Sequence, residues 1–142
     1  MKAVPWFRSA AVLTVLFAAG HTYGFLTFRP ATAEGQAVWA EMNGVHFTDG
    51  HGNYSYGNFY IGFGLSITAA MLFTAWLAWT LGSQAKSGAQ GVRTIAWGMF
   101  VWQLAGIVLS VRYFALVPAL FSVLVAACLG LGAMLAPKPA LR

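Results

Sequence analysis

Four apolar runs, at residues 9–28, 59–81, 94–111 and 116–136, decide most of what this chain can fold into. Each is 18–23 residues long, and about 20 residues of helix cross a hydrocarbon core ~30 Å thick. Lipid offers backbone N–H and C=O groups no water, so a spanning segment must pair them internally, as a helix does. The runs predict an all-α fold: a four-helix transmembrane bundle forming a single integral membrane domain over residues 1–142. An extracytoplasmic loop, residues 29–58, joins the first two spans. Pro118 falls in the first turn of the fourth run, where its missing N–H costs little. Pro137 and Pro139 follow that run and stop it.

Composition supports this class. Only 8% of residues are charged and 59% are hydrophobic, against about 25% charged in a soluble domain. The net charge of +5 does not mark a nucleic-acid binder, because the basic residues stand singly at the ends of apolar runs. Lys2 and Arg8 precede the first run, Lys86 and Arg93 separate the second from the third, and Lys138 and Arg142 follow the fourth. Four crossings place all six on one side, which the positive-inside rule makes the cytoplasm. The expected location is the bacterial inner membrane, multi-pass, with both termini cytoplasmic. Arg29, Arg112 and all three acids (Glu34, Glu41 and Asp49) fall on the other side. A competing reading takes the opening "MKAVPWFRSAAVLTVLFAAG" as a cleaved signal peptide. The apolar run continues through "HTYGFLTF", which favours a retained span. Cys128 is a lone cysteine in an apolar run, so disulfides within the chain and cysteine-based metal motifs are excluded.

Residues 45–64, "VHFTDGHGNYSYGNFYIGFG", interrupt this pattern. Upstream, Val38, Met42 and Val45 recur with helical spacing beside Trp39, predicting a short amphipathic helix within residues 33–47. It would lie on the outer membrane surface or dip between spans. "TDGHGNYSYG" then supplies turn chemistry, and Asn53 or Ser55 can cap the next helix. All tyrosines and histidines fall in the outer half or outside, whereas Trp6, Trp76, Trp79 and Trp97 gather toward the inner interface as an aromatic belt.

The outer polar collection is the candidate site. His21 stands inside the first span, two turns after Thr14, and an ionisable group at that depth is a functional hypothesis. The alternative is a neutral histidine bonded to a neighbouring helix. Gly20 and Gly24 form a GxxxG, which permits close helix approach. Asn58, Gly62 and Ser66 form one stripe on the second span; Tyr60, Gly64 and Thr68 form its neighbour. Beside Phe59 and Phe63, these glycines either open room for a flat ligand or allow tight helix packing. Gln103 and Ser110 line the third span, and Arg112 at its outer end either snorkels to lipid phosphate or pairs with Glu41. His46, Asp49 and His51 read H-x-x-D-x-H, a donor set suited to zinc or iron, but not at helical spacing; no metal is assigned. No nucleophilic triad, phosphate loop or dinucleotide fingerprint is present, and no cofactor is implied.

"GHTYG", "SYGNFYIGFGL" and "LSVRYF" together resemble a family of small uncharacterised bacterial four-helix integral membrane proteins. The resemblance covers most of the chain. It implies four spans with an outer loop between the first two, and no settled activity. In that pattern an acid often stands where this chain has Asn58, and a tryptophan where it has Val111, so a carboxylate role at position 58 is lost here. A looser likeness, of architecture only, is to emopamil-binding-type sterol isomerases.

The function expected from these residues is binding of a small hydrophobic or amphipathic molecule (lipid, quinone or isoprenoid) in the outer half. His21, Tyr56, Asn58, Tyr60 and Arg112 would line the site. The alternatives are an isomerase or cyclase acting on such a molecule with His21 or Glu41 as general acid/base, or an accessory subunit of a membrane complex. Membrane lipids are expected partners, as is a second copy of the chain or a larger assembly; nucleic acid is not. Residues 45–64 would form the roof and rim, with Tyr56 and Tyr60 turned toward the loop helix and Tyr54 toward water. His46 would pack beneath the loop, with Asp49 and His51 exposed at its tip.

Overall fold

A computed structural model describes residues 2–114 and 116–137. Lys138, Pro139 and Arg142, invoked above, lie outside the described residues. The chain runs α1 (Val4–Thr27), α2 (Ala33–Gly44), β1 (His46–Asp49), β2 (Gly52–Ser55), α3 (Tyr56–Ser87), α4 (Val92–Tyr113) and α5 (Leu116–Leu135). Four of these helices, α1, α3, α4 and α5, are long and apolar enough to cross a membrane. α3 is the longest at 32 residues, about 48 Å at 1.5 Å per residue. It begins three residues before the expected span and ends six after it.

Helix boundaries follow local chemistry. Pro5 and Pro118 sit in the first turns of α1 and α5, where the ring fits the helical φ and no N–H is needed. At the end of α3, Gly88 takes a left-handed φ of 70°, and Ala89 N–H donates back to Gln84 O at 3.0 Å. That is the reverse bond of a glycine-terminated helix. Gly91, also left-handed at 84°, then precedes α4.

The apolar surface is largely left uncovered. Only 17% of the most apolar stretch of α3 and of α4 is buried, against 50% for α5. Val111, Leu116 and Val108 stand about two-thirds exposed or more. Helices apolar on every side suit hydrocarbon rather than water.

The described residues divide into two compact units. Unit 1 comprises residues 1–18 and 71–142. Its core draws Phe7, Ala10 and Ala11 from α1, Ala78, Leu81 and Ala85 from α3, Val92, Ala96 and Met99 from α4, and Val125, Leu129 and Ala133 from α5. Small residues dominate because apolar side chains gain nothing from leaving lipid for protein, so association relies on close backbone approach. Phe7, fully buried, lies against Gly132, where a Cβ would come within 2.5 Å of its ring. Phe100 packs on Gly130 in the same way, and Phe17 stacks on Phe121 at 5.2 Å.

Unit 2 comprises residues 19–70. α2 starts at an N-cap, Thr32, whose hydroxyl accepts from Gly35 N–H at 3.1 Å. It ends at Gly44, so the expected helix stops short of Phe47, and an antiparallel hairpin follows. Its register pairs His46 with Ser55 and Asp49 with Gly52, about a turn in which Gly50 has a positive φ of 54°. The loop proper is two residues, Gly50-His51, and glycine at the first of them supplies the positive φ that a tight hairpin turn needs. The stripe expected to make α2 amphipathic packs only in part, through Met42, which is half-buried. Val38 and Val45 are exposed, while Trp39 is half-buried between Phe28 (6.0 Å) and Tyr60 (5.7 Å). A single large ring outweighs two valines as a packing surface. His46 is a second correction: it is exposed, its Nδ1–H donating to Gly44 O at 2.8 Å. Side chains alternate along a strand, and Phe47 takes the covered side of β1 instead.

Gly132→Ala should lower the midpoint of thermal unfolding in detergent, by a destabilisation of about 1–3 kcal/mol for overpacking against Phe7. Gly98→Ala, exposed with nothing within 4 Å of its added methyl, should be neutral or gain roughly 0.5–1 kcal/mol of helix propensity. Circular-dichroism melts of both variants check the pair.

Candidate functional site

The two small-residue stripes of α3 do different work in unit 2. Tyr60, Gly64 and Thr68 face structure. A Cβ on Gly64 would sit 2.8 Å from the Phe25 ring, so glycine there lets α1 and α3 touch. His21 Nε2–H donates to Gly64 O at 3.2 Å, Thr68 donates to the same carbonyl at 3.1 Å, and the hydroxyls of Thr22 and Thr68 meet at 2.8 Å. The His21 ring also lies 5.1 Å from that of Phe25. Because a carbonyl only accepts, Nε2 carries the proton. His21 is half-buried and spends this donor on holding two helices together.

Asn58, Gly62 and Ser66 face a cavity. With Phe47, Asp49 and Tyr54 from the hairpin and Phe59 and Phe63 from α3, they line a volume of about 410 Å³. Gly62 opens it, since nothing lies within 4 Å of the position its Cβ would take. The walls are aromatic: Phe47 is 5.2 Å from Tyr56, 6.0 Å from Phe59 and 6.2 Å from Tyr54, and Phe59 meets Phe63 edge-on at 4.7 Å. Three polar groups, Asp49, Asn58 and Ser66, punctuate them. Gly52 lets the Tyr54 ring fold across its own strand, in space that a side chain would fill.

The start of α3 fixes the polar end of this cavity. Ser55 and Asn58 cap the helix reciprocally. Asn58 N–H donates to Ser55 Oγ at 3.0 Å, while Asn58 Oδ1 accepts from Ser55 Oγ at 2.8 Å and from Ser55 N–H at 3.4 Å. This is a capping box with asparagine at the third position. It fixes which end of the amide points where, and leaves Nδ2–H₂ able to donate. Gly57, buried next to it, lets Asn43 and the end of α2 abut the first turn; a Cβ would collide with the Asn43 amide.

The other expected site residues are placed as follows. Tyr60 packs on Trp39 of the loop helix. Tyr56 and Tyr54 are both about half exposed, and both rings lie against Phe47. Tyr54 belongs to β2 rather than to a helix, so helical spacing does not separate it from Tyr56. Asp49 and His51 are exposed. Glu41 is exposed on α2 and does not line the cavity; the acid that does is Asp49. Among the described residues no three His, Cys, Asp or Glu side chains are placed to hold a metal ion. Arg112 belongs to unit 1, exposed at the end of α4, with its guanidinium 5.7 Å from the Tyr113 ring. Sequence reasoning named the α3 lining but missed Phe47, Asp49 and Tyr54. The Asp-Gly turn was the signal that brings them there.

Compared with known proteins, the chain matches no family model, no curated protein and no solved structure.

Ser55→Ala removes the hydroxyl from the capping box, leaving the Asn58 N–H without its partner and Asn58 Oδ1 with only the residue-55 N–H at 3.4 Å. It should destabilise the first turn of α3 by about 1 kcal/mol. Hydrogen exchange at residues 56–60 should quicken several-fold while the middle of α3 is unaffected. Uniform exchange along α3 would show that the cap does not hold this turn.

Proposed function

We propose that the chain is a multi-pass protein of the bacterial inner membrane that binds a small amphipathic molecule in the cavity of unit 2, the apolar runs forming a four-helix transmembrane bundle. The hairpin and α2 then lie on the extracytoplasmic side, and the termini on the cytoplasmic side where Lys2, Arg8, Lys86 and Arg93 gather. The observation that carries this reading is the cavity itself. It pairs aromatic walls with a few convergent polar groups, the composition that small-molecule sites share. Phe47, Phe59 and Phe63 would hold the flat or chain-like body of a lipid, quinone or isoprenoid. Asn58 Nδ2, the Ser66 hydroxyl and the Asp49 carboxylate would meet its polar end. Ser66 donates to Gly62 O at 2.9 Å, so toward a ligand it acts as an acceptor.

The acid/base alternative has less to stand on. His21 is occupied with Gly64 O and absent from the cavity lining, as is Glu41. Tyr56 and Tyr60 serve the rim by packing on Phe47 and Trp39 rather than by reaching into the cavity.

Gly62→Leu tests the reading, because the added side chain fills the cavity from a helical position with free space around it. The full chain would be purified in mild detergent, and molecules released by organic solvent identified by mass spectrometry. Wild type should carry an amphipathic molecule in near-stoichiometric amount. The variant should keep its helical content and thermal midpoint but carry clearly less of that molecule, its affinity lowered at least about tenfold by ~1.4 kcal/mol of lost contact. Equal retention in Gly62→Leu would place the molecule elsewhere, and an empty wild type would defeat the proposal.

A further inference from the structure

Unit 1 holds a charge that its own residues do not neutralise. Its described part contains Lys2, Arg8, Lys86, Arg93 and Arg112, whereas Glu34, Glu41 and Asp49, all the acids of the chain, fall within residues 19–70. Of these cations Arg8 makes the closer ring contact and also a side-chain hydrogen bond. Its guanidinium lies 3.4 Å over the Trp79 ring, and Nη2 donates to Ser83 Oγ at 2.9 Å. Gly82 makes room for it, since a Cβ there would stand 3.2 Å from Nε. Nη1 is buried with no hydrogen-bond partner among the described residues. The ring contact is a cation–π interaction, but neither it nor a serine oxygen cancels the charge.

An apolar groove of about 400 Å³ adjoins this group. Val12, Val15 and Leu16 of α1 form one wall, and Leu72, Trp76 and Trp79 of α3 the other. Trp79 is thus shared: one face lies under Arg8, and the ring also closes the groove. Val12 stands one helical turn after Arg8, so the guanidinium and the groove lie on one continuous face of α1. A cation at the mouth of a chain-sized apolar channel fits a molecule with an anion joined to a hydrocarbon tail.

We propose that unit 1 carries a binding site for an anionic phospholipid. The headgroup phosphate sits on the Arg8 guanidinium and takes a hydrogen bond from the Ser83 hydroxyl, whose oxygen already accepts from Arg8. One acyl chain runs along the groove past Trp76. Basic pockets beside membrane helices bind acidic headgroups by this combination of charge and hydrocarbon contact. The inference shares the membrane reading with the proposal above but not the cavity of unit 2, so Gly62→Leu should leave it untouched.

The test uses the purified full chain in detergent, with phosphatidylglycerol and phosphatidylcholine of matched acyl chains, read by native mass spectrometry and thermal unfolding. Wild type should retain phosphatidylglycerol preferentially and gain stability from it, and sn-glycerol 3-phosphate at the same concentration should do neither. Arg8→Gln should cut the preference for phosphatidylglycerol by roughly five- to tenfold. Arg93→Gln, an equal loss of charge at a residue that does not line the groove, should change it by less than about twofold, the size left for a screened charge. Trp76→Ala, on an exposed surface, should weaken retention of both lipids while keeping their ratio. An unchanged preference in Arg8→Gln, an equal fall in Arg93→Gln, or stabilisation by the soluble headgroup alone would each overturn the site. Should Arg8→Gln fail to fold, Trp76→Ala still decides, since undiminished lipid retention there removes the groove from the proposal.

Discussion

Hydrocarbon offers no hydrogen-bond partner, and that constraint shapes every polar group on the long helices. Backbone groups pair within each helix, and several hydroxyls do the same. Thr14 donates to Ala10 O at 2.8 Å, Thr27 to Tyr23 O at 2.7 Å, Ser66 to Gly62 O at 2.9 Å and Thr68 to Gly64 O at 3.1 Å. Each hydroxyl returns to the carbonyl one turn behind it, which lets a polar residue sit on an apolar helix without a partner elsewhere. The bland role of serine and threonine is thereby accounted for. Attention falls on the few polar groups that local geometry cannot satisfy: the Asp49 carboxylate, the free end of the Asn58 amide and the Arg8 guanidinium.

Glycine decides which of those groups face space and which face protein. On α3, Gly62 and Gly64 are two residues apart and therefore point in different directions. Gly64 is covered by Phe25, and its carbonyl collects His21 and Thr68. Gly62 meets nothing and lines the cavity. Substituting either position with alanine adds the same methyl and has opposite consequences, because one methyl enters a filled contact and the other an open one. The same contrast recurs in unit 1, where Gly132 is closed by Phe7 and Gly98 is open. Among the described residues nothing lies within 4 Å of a Cβ added at Gly20 or Gly24, so their GxxxG spacing does not serve packing inside unit 2.

Length and apolarity made the four long helices legible, since both are properties of a whole segment and tolerate local error. The ends were less so. α3 starts at Tyr56 because Ser55 and Asn58 cap each other; Ser55 was one of two caps legible in the sequence, whereas the hydropathy run began only at Phe59. The loop was half legible. The Val38, Met42, Val45 spacing announced a helix, but of that stripe only Met42 is half-buried, beside Trp39. Asp49-Gly50 was read as a turn without the strands on either side, because "HFTD" and "GNYS" are short and carry little apolar alternation. Phe47, Asp49 and Tyr54 were therefore missed as cavity residues, and His46 was placed on the wrong side of a strand. His21 drew notice as a buried ionisable group; a carbonyl freed for contact by a glycine 43 positions away leaves no mark near it in the sequence.

Charge separates the two proposed sites by ligand class. The cavity of unit 2 carries one carboxylate, Asp49, and no cation in its lining. A molecule with an anionic head entering it would meet like charge beside aromatic walls, where screening by water is weaker than in bulk. A neutral or cationic head bound through Asn58 and Asp49 meets no such cost. Arg8 sets the reverse preference in unit 1, where no acid opposes it. A quinone or isoprenoid alcohol therefore suits the first site and an acidic phospholipid the second. On these two proposals the sites would take different molecules, because the Asp49 carboxylate opposes the kind of headgroup that Arg8 attracts.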